Sequence, residues 1–491
     1  MPVRKEKAKI KIMKPAAASS QRIDAEQLRA DEARYLMNTY KRPPAVFVRG
    51  RGCRLYDSAG REYLDFLGGI AVNALGYSHP ALVRTIRREA GRAVHVSNLF
   101  HNPFQGPLAK KLAQLSGLDR VFFTTSGTEA IDGALKLARA HARKQSADNA
   151  ATNGNAGTGP AAEPKHRILA LENSFHGRTF GALSITHPTK YREPFEPLVP
   201  GIEFVRFNDV ADLEAKFDET VCAIVVETIQ GEGGIYPVSE EFWSRARALA
   251  TQHHAALIAD EIQCGMGRTG RYFAYQKFGS LPDIITVAKP LAGGLPLGAF
   301  IANEEFASAF SPGMHGTTFG GGPLVCATAL AFLETLEAEN LLNKVRERGR
   351  ELRAGLEKLA TRFNFIQEIR GEGLMLGVDL SIDGAPIVAE AMQQGLIFNC
   401  THDHVLRLLP AYTIQKSDIQ EFLRKFEAVL ASATKNAPAQ IAATQTAASQ
   451  AAAASKSAIH NRTKQKTKSS PRTSATHAAQ QAQSAALAAS R

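Results

Sequence analysis

Short apolar runs alternate with segments of helical periodicity through most of this chain of 491 residues. The runs that predict strands are Val121–Phe123, Ile168–Leu171, Ala223–Val226, Ala255–Ala259 and Ile284–Val287. The segments that predict helices include Glu129–Arg143, Ser239–Gln252 and Pro323–Glu339. Continuously apolar strands separated by helices indicate a parallel sheet that is covered on both faces. Ligands of such sheets collect at the carboxyl ends of the strands, so functional residues are expected at those ends.

The end of the first predicted strand has the composition of an anion site. It runs into the sequence TTSGTEA, where Ser126, Gly127 and Thr128 precede Glu129 at the start of a helix. Free backbone N–H groups, hydroxyl groups and the helix dipole together suit a phosphate. An ordinary helix cap with an acidic first turn has the same composition and is the alternative.

Aromatic and charged residues follow the next strands. Phe175 and Arg178 lie in NSFHGRT, and Asp260 directly follows Ala255–Ala259. An aromatic ring can stack on a planar ligand, and an arginine can bind a carboxylate with two hydrogen bonds. A carboxylate at the end of a buried strand needs a cation or a donor as its partner. A core phenylalanine, a surface arginine and a structural ion pair are the alternatives.

Lys289 is the residue that most needs an explanation, because the stretch ITVAKPLAGGLPLG around it is otherwise apolar or glycine. Burial disfavours the ammonium form, lowers the pKa and makes the free amine available as a nucleophile. A lysine that reaches to water is the alternative. Pro290 directly follows and disfavours the helical region for Lys289.

A phosphate site, an aromatic residue, a buried carboxylate and a buried amine at one sheet edge suit a particular kind of ligand. A flat aromatic aldehyde with a basic ring nitrogen and a phosphate would use all four. Pyridoxal phosphate has these features, with Lys289 forming the Schiff base and Asp260 pairing with the ring nitrogen.

Charge is distributed unevenly along the chain, whose formal net charge is +12. Residues 1–24 contribute +5 and residues 435–491 contribute +8, which leaves the body between them close to neutral. A nucleic-acid-binding domain would carry its basic residues on the folded surface. We therefore expect no nucleic-acid partner for the body, and binding through the tails alone is the alternative.

Cysteine usage and hydropathy bear on location. The five cysteines are scattered without a CxxC pair, which indicates a reducing compartment and neither a metal site nor a disulfide framework. No apolar run approaches the roughly 20 residues that span a bilayer. The basic N-terminus contains Glu6 and more lysine than arginine, unlike a transit peptide. We predict a cytoplasmic protein without a membrane partner, with an organelle as the alternative.

The motifs at the strand ends resemble the signature of class III, ornithine/acetylornithine-type, pyridoxal-phosphate-dependent aminotransferases. The resemblance rests on DEIQCGMGRTG followed by AKPLAGGLPLGA, and on FFTTSGTEA, NSFHGRT, QGEGG, HGTTFGGGPL and LRLLP in the family's order. It extends from about Tyr35 to about Leu430. It implies an α/β protein of fold type I, with a mostly parallel seven-stranded sheet in a large domain. A smaller α+β domain would combine the N- and C-terminal segments.

The resemblance and the composition together predict how the chain is divided. The expected parts are a basic disordered extension over 1–30, the N-terminal part of the small domain over 31–85, the large cofactor-binding domain over 86–325, the C-terminal part of the small domain over 326–433 and a disordered, basic, low-complexity tail over 434–491. A flexible surface insert is predicted at 145–164 within the large domain.

The resemblance also implies roles for individual residues. For the cofactor it implies that Lys289 forms the Schiff base and carries the proton, that Asp260 pairs with the ring nitrogen and that Gln263 bonds the ring hydroxyl. Phe175 and Ile262 would cover the two ring faces, and Ser126, Gly127 and Thr128 would hold the phosphate. The resemblance further implies a homodimer with shared active sites, in which Thr318 reaches the phosphate bound by the partner subunit. For the substrates it implies Arg407 on the α-carboxylate, Glu232 paired with Arg407 when the other substrate is bound, Arg178 on a distal carboxylate and Tyr40 at the entrance.

The choice of substrate depends on the strip at 67–73. Ornithine-specific relatives carry a tyrosine there, whereas Gly68, Gly69 and Ile70 leave apolar room for an acylated side chain. We predict ping-pong transamination of N2-acetylornithine with 2-oxoglutarate to N-acetylglutamate 5-semialdehyde and glutamate, a step of arginine biosynthesis.

Several related activities are alternatives. Within the family these are ornithine, 4-aminobutyrate, succinylornithine and succinyl-diaminopimelate aminotransferases. An aminomutase or racemase would share the fold. A transcription regulator would require a helix-turn-helix before the enzyme fold, and residues 1–34 are too short to form one.

Overall fold

The computed structural model of the chain describes residues 24–152 and 165–434. The predicted tail over 434–491 and the second part of the predicted insert therefore lie almost wholly outside the described residues. Contacts divide the chain into two compact units, Met1–Ala431 and Ser432–Arg491. The elements below belong to the first unit, except that the last helix includes residues 432–434, which are the described residues of the second unit.

Seventeen strands are present in the described ranges. They are β1 (Phe47–Arg51), β2 (Arg54–Asp57), β3 (Glu62–Asp65), β4 (Arg120–Thr124), β5 (Arg167–Leu171), β6 (Ile202–Val205), β7 (Val221–Glu227), β8 (Ile229–Gln230), β9 (Tyr236–Pro237), β10 (Ala256–Asp260), β11 (Ile284–Val287), β12 (Gly298–Ala302), β13 (Ile366–Glu372), β14 (Met375–Leu380), β15 (Leu396–Ile397), β16 (Asn399–Thr401) and β17 (Val405–Leu408).

The helices of the same ranges alternate with these strands. They are α1 (Ala25–Tyr35), α2 (Gly68–Ala71), α3 (Pro80–Ala90), α4 (Gln105–Ser116), α5 (Gly127–Thr152), α6 (Phe180–Ser184), α7 (Thr189–Arg192), α8 (Val210–Lys216), α9 (Glu240–Gln252), α10 (Glu304–Ala307), α11 (Pro323–Ala338), α12 (Leu341–Ala360), α13 (Ala385–Gln393) and α14 (416–434). None of them has both the length and the apolar composition needed to cross a membrane.

The largest sheet has seven strands in the order β4-β12-β11-β10-β7-β5-β6. Strand β12 is antiparallel to both of its neighbours, and the other pairings in this sheet are parallel. This confirms the mostly parallel seven-stranded sheet expected from the sequence. The five predicted strands are all present, with ends that differ by at most two residues.

The central strands are buried on both faces, which explains their continuously apolar sequences. All seven residues of β7 are buried, and successive side chains along a strand point to opposite faces. On one face, Val225 and Ile258 pack in a core cluster with Ile131 of α5. On the other, α9 packs against β7 and β10. The sheet is therefore held between helices, as a parallel sheet requires.

The N- and C-terminal segments meet in a small sheet of the order β1-β2-β3-β15. Strand β15 pairs in parallel with β3, with Leu396 opposite Leu64, and the ring of Phe422 in α14 stacks on Phe66 at a centroid distance of 3.8 Å. A second small sheet has the order β13-β14-β17-β16. The two ends of the described chain thus build one α+β region, as expected.

Two predicted loop or disordered segments contain helix. Helix α5 continues to Thr152, so the first part of the predicted insert at 145–164 is helical, and its remainder lies outside the described residues. Helix α1 begins at Ala25, within the extension predicted to be disordered over 1–30. The carboxylate of Asp24 caps it by accepting hydrogen bonds from two backbone N–H groups. In both places a local helix signal outweighed the polar composition.

Ile258 lies at the centre of the large sheet and is fully buried, so its truncation tests this core. We expect Ile258→Ala to lower the free energy of unfolding by about 2–5 kcal/mol, because a cavity is left between the sheet and α5. Urea denaturation followed by circular dichroism measures the change. Leu281→Ala is the control, because Leu281 is 49% exposed and should change the free energy by no more than about 0.5 kcal/mol. Equal losses in both variants would contradict this packing.

Candidate active site

The carboxyl ends of the central strands meet at one edge of the large sheet. In the parallel register Asp260 lies opposite Glu227 on one side and opposite Thr286 on the other. Lys289 follows the neighbouring strand β11. These ends border a cavity of about 410 Å³, which lies within the range of about 300–1,000 Å³ that small-molecule sites occupy.

Most of the residues that the sequence assigned to a ligand line this cavity. They are Ser126, Gly127, Thr128, Phe175, Arg178, Asp260, Ile262, Gln263 and Lys289. Residues without such an assignment line it as well, namely Val72, Thr125, His176, Gly177, Glu227, Ala288 and 294–297. The strip at 67–73, on which the substrate prediction depends, contributes Val72.

Lys289 has a left-handed backbone conformation at the end of β11, with φ of 41°. It opens a 3-10 turn over Lys289–Ala292, and Pro290 disfavours the right-handed helical region for it, as expected. Positive φ in a residue other than glycine costs roughly 1–3 kcal/mol and persists only where the surrounding structure imposes it. The fold therefore fixes the direction of this side chain.

Burial lowers the pKa of Lys289, although the nearby carboxylates of Asp260, Glu232 and Glu227 favour its charged form. The residue as a whole is half-buried and lines the cavity. A lowered pKa increases the fraction of free amine at neutral pH, and the free amine is the form that reacts with a carbonyl group.

The Asp260 carboxylate is almost fully buried and accepts three hydrogen bonds. Oδ2 lies 2.7 Å from Nδ1 of His176, and Oδ1 accepts from the N–H of Ile262 at 3.0 Å and from the Thr286 hydroxyl at 3.2 Å. Burial disfavours the imidazolium, but the hydrogen bond and charge of Asp260 and the charge of Glu227 outweigh it and raise the pKa of His176. The contact with Asp260 therefore favours the charged form of the His176 imidazole.

Glu227 is the second buried carboxyl group in the wall of the cavity. Its oxygens accept from the N–H groups of Phe175 at 3.2 Å and Gly231 at 3.3 Å. Burial raises the pKa of Glu227 to about 7, with His176 opposing and Asp260 reinforcing the shift.

The start of α5 forms the opposite wall. The Glu129 carboxylate accepts from the N–H of Thr125 at 2.8 Å and from the Ser126 hydroxyl at 3.0 Å, which fixes the turn before the helix. The Thr128 hydroxyl lies 2.7 Å from that of Thr179 and accepts from the N–H of Arg178. The first N–H groups of α5 and its positive dipole end thus face the cavity.

Arg407 on β17 is fully buried and held by acceptors from three segments. Its Nη1 donates to Glu232 Oε1 at 2.5 Å, to Gly231 O at 3.2 Å and to Gln263 Oε1 at 3.1 Å. Its Nε donates to Asn399 Oδ1 at 3.1 Å, from the adjacent strand β16. Glu232 thus pairs with this arginine, and the predicted dependence of the pairing on the bound substrate stays a prediction.

Arg178 is exposed at the rim of the cavity and rests on aromatic rings. Its guanidinium carbon lies 3.9 Å from the centroid of the Tyr191 ring and 5.6 Å from that of Phe175. Cation–π contacts of this kind hold a cation in place without neutralising it. The guanidinium thus keeps its hydrogen-bond donors for a ligand.

Four predicted site residues do not line the cavity. Glu232 and Arg407 adjoin it through the contact of Arg407 with Gln263, whereas Tyr40 and Thr318 lie elsewhere. Tyr40 is 71% exposed and lines a separate groove formed by α1 and the segment after it. Thr318 is exposed on a loop beside Thr125 and Glu129, outside the cavity of its own chain. The roles predicted for both residues, at an entrance and toward a partner subunit, stay predictions.

Sequence reasoning gave no role to His176 or Glu227, both of which line the cavity. The signal was present for Glu227, since it follows an apolar strand just as Asp260 does. Its importance depends on the register that places it opposite Asp260, which a single sequence does not reveal. For His176, next to Phe175 in NSFHGRT, no local pattern pointed to Asp260.

Comparison with known proteins identifies the family of this chain. Residues 35–430 match the family described as aminotransferase class III. The chain is 43% identical over 404 residues to the acetylornithine aminotransferase of Methanocaldococcus jannaschii, covering 82% of this chain and 98% of that protein.

Solved structures agree in fold. The ornithine aminotransferase of Toxoplasma gondii superposes with a TM-score of 0.78 at 31% identity, covering 84% of this chain and 96% of that one. The acetylornithine aminotransferase of Elizabethkingia anophelis gives 0.72 at 29% identity, covering 83% and 99%. The chain therefore belongs to the class III aminotransferases, enzymes of fold type I that depend on pyridoxal phosphate.

Proposed function

We propose that pyridoxal phosphate binds in the cavity with its phosphate at the start of α5 and its ring between Phe175 and Ile262. Two glycines in the wall of the cavity support this placement of the cofactor. A Cβ atom at Gly127 would lie 2.8 Å from Cδ1 of Ile262, and one at Gly177 would lie 2.3 Å from the Thr128 hydroxyl oxygen. Both positions therefore have to be glycine for Ile262 and Thr128 to pack as closely as they do in the wall of the cavity.

The polar groups suit the ring as well. Asp260 offers an oriented carboxylate for the cationic ring nitrogen. Gln263 already accepts from Arg407 through Oε1, so its amide nitrogen is left to donate to the ring hydroxyl. When bound, the cofactor carries the amino group between the substrates and withdraws electron density from the reacting carbon.

Lys289 performs the proton transfers in this proposal. Its Nζ accepts a proton from the carbon that bears the reacting amine of the donor, and donates one to the carbonyl carbon of the 2-oxo acid in the return reaction. The proposal rests mainly on one observation. The amine of Lys289, with its pKa lowered by burial, lies in the same cavity as Asp260.

We propose N2-acetylornithine as the amino donor and 2-oxoglutarate as the acceptor, giving N-acetylglutamate 5-semialdehyde and glutamate. The Methanocaldococcus jannaschii relative carries the name of this activity. The wall near the strip at 67–73 supports it too, because Val72 offers an apolar surface there. Ornithine is the second candidate, because the Toxoplasma gondii structure is an ornithine aminotransferase.

The two arginines fit the two half-reactions. The reacting carbon of acetylornithine bears no carboxylate, so Arg407 has no substrate group to bind, and Glu232 neutralises it. The reacting carbon of glutamate bears the α-carboxylate, which takes the place of Glu232 on Arg407. Arg178 binds the carboxylate remote from the reacting carbon in both substrates. Arg407 stays in position throughout, because Gly231, Gln263 and Asn399 also hold it.

The proposed setting is a cytoplasmic homodimer with shared active sites. Thr318 lies outside the cavity of its own chain, as a residue that serves the partner subunit would. The proposed domain boundaries place the large domain at 86–325 and form the small domain from 31–85 and 326–433. Tyr40 is proposed to approach the site entrance in the assembled dimer.

The choice of substrate is tested by mixing the holoenzyme with one amine at a time and following the visible absorbance of the bound cofactor. We expect acetylornithine to remove this absorbance with the highest kcat/KM, because Val72 accommodates the acyl group. Ornithine, 4-aminobutyrate and succinylornithine are the competitors, and Lys289→Ala is the blank. A faster reaction with ornithine or 4-aminobutyrate than with acetylornithine would overturn the choice of substrate.

Removal of Glu232 tests the exchange of partners on Arg407. We expect Glu232→Ala to lower kcat/KM for acetylornithine by tenfold or more, about 1.4 kcal/mol, because the free guanidinium attracts the only carboxylate of this substrate to the wrong end of the site. The value for glutamate should change by less than about threefold, since its α-carboxylate displaces Glu232 in any case. Stopped-flow measurement of each half-reaction separates the two. The exposed Glu240→Ala in α9 is the control, and equal losses with both substrates would contradict the exchange.

A further inference from the structure

Two carboxyl groups lie side by side in the wall of the cavity. Glu227 ends β7 and Asp260 ends β10, and the parallel register places these two residues opposite each other. Both are at least 95% buried and both line the cavity. Two carboxylates at neighbouring positions of adjacent strands repel each other. Both can therefore be ionised only if enough positive charge lies nearby.

The direct ion pair at this edge is made with Asp260 and not with Glu227. His176 forms its short contact with Asp260, at 2.7 Å. Glu227 accepts only from two backbone N–H groups at 3.2 and 3.3 Å, and no described lysine, arginine or histidine forms an ion pair with it. The charged groups that face it from the neighbouring elements are His176 after β5, Asp260 on β10 and Lys289 after β11.

The balance of these charges favours a proton on Glu227. The imidazolium of His176 balances the carboxylate of Asp260. A second carboxylate at Glu227 would then be a buried charge without a counter-ion, which is strongly unfavourable. The neutral form is favoured instead, in agreement with burial raising the pKa of Glu227 to about 7.

We propose that Glu227 is a second carboxyl group of the cofactor site, protonated in the free protein and ionised when a cationic ring lies against Asp260. This rests on the proposed placement of the ring nitrogen at Asp260. The reaction is loss of one proton: the O–H bond of Glu227 breaks, the electron pair stays on the oxygen and the proton leaves to the buffer. The network of Glu227, Asp260 and His176 then carries one net negative charge, which balances the ring.

The sign of the pH dependence follows. A carboxyl whose pKa is lowered by a bound cation strengthens binding fully above its pKa in the free protein, and this contribution is lost as the pH falls through the lower pKa of the bound state. Cofactor affinity should therefore increase with pH up to about 7, the pKa of Glu227, and this increase should be absent without the carboxyl.

The test measures the equilibrium dissociation constant of pyridoxal phosphate from the holoenzyme and from Glu227→Gln, between about pH 5.5 and 8.5, by loss of the bound cofactor's absorbance on dilution. We expect the ratio of the variant's constant to that of the wild type to rise about tenfold across this range. The cofactor phosphate, with a second pKa near 6, titrates in both proteins, so its contribution cancels in the ratio. A ratio that does not depend on pH overturns the proposal.

Glu261→Gln is the matched control. Glu261 is also fully buried, and burial raises its pKa to about 7 as well. Its carboxylate, however, accepts from the Thr228 hydroxyl and the N–H groups of Ala274 and Tyr275, away from the cavity. We expect the ratio of the dissociation constant of Glu261→Gln to that of the wild type to be independent of pH. If this ratio changed with pH as much as the ratio for Glu227→Gln, the assignment to Glu227 would be overturned.

Glu227→Asp provides the rescue. It keeps a carboxyl group on a shorter side chain, so we expect a pH-dependent affinity with a shifted midpoint. If Glu227→Gln does not fold, this shift against the wild type decides the question, and an unshifted midpoint overturns the proposal. A wild type that binds no pyridoxal phosphate would refute the proposed function itself, whereas a wild type that binds it with a flat ratio refutes only the role of Glu227.

Discussion

The parallel register of three strands is the constraint on which the site depends. It places Glu227, Asp260 and Thr286 in one row, with Lys289 just beyond the third strand. Each group is therefore positioned by backbone hydrogen bonds of the central sheet. A shift of one residue in any of these strands would turn its terminal side chain to the opposite face. The helices on both faces of the sheet prevent such a shift, because every position of these strands is buried.

At the same edge of the sheet, ionisable side chains are buried without leaving an unpaired charge. Lysine and aspartate are unfavourable in an apolar interior unless they are paired or neutral. The structure uses both solutions within one cavity: burial favours the neutral amine at Lys289, while Asp260 is paired with His176. Arg407 follows the second solution, with acceptors from Glu232, Gln263 and Asn399. The site is thus assembled from charges whose partners can be exchanged for those of a ligand.

Much of the large sheet was predictable, because its central strands are short, apolar and bounded by polar turns. Two strands were not predicted, for different reasons. Glu203 interrupts the apolar pattern of β6, which lies at the edge of the sheet and is only partly buried. Strand β12 follows a stretch rich in glycine and proline that masks its start. The length of α5 was underestimated because the polar and alanine-rich sequence at its end also suits a loop.

For the site, sequence patterns identified residues that are unusual in their local setting, such as Lys289 and Asp260. They did not identify pairs. The contact of His176 with Asp260 joins residues 84 positions apart, and that of Arg407 with Gln263 joins residues 144 apart. Such contacts depend on which strands lie next to each other. The partnership of Arg407 with Glu232 came from family resemblance and not from any property of the two segments.

Arg407 lies on β17, in a small sheet of its own, whereas Lys289 and Asp260 belong to the large sheet. In the proposed mechanism, recognition of the substrate carboxylate and transfer of the proton are therefore carried by different parts of the scaffold. Gln263 lines the cavity and contacts Arg407. A substitution on β16 or β17 can therefore change the surroundings of Arg407 while the groups at the edge of the large sheet stay in place.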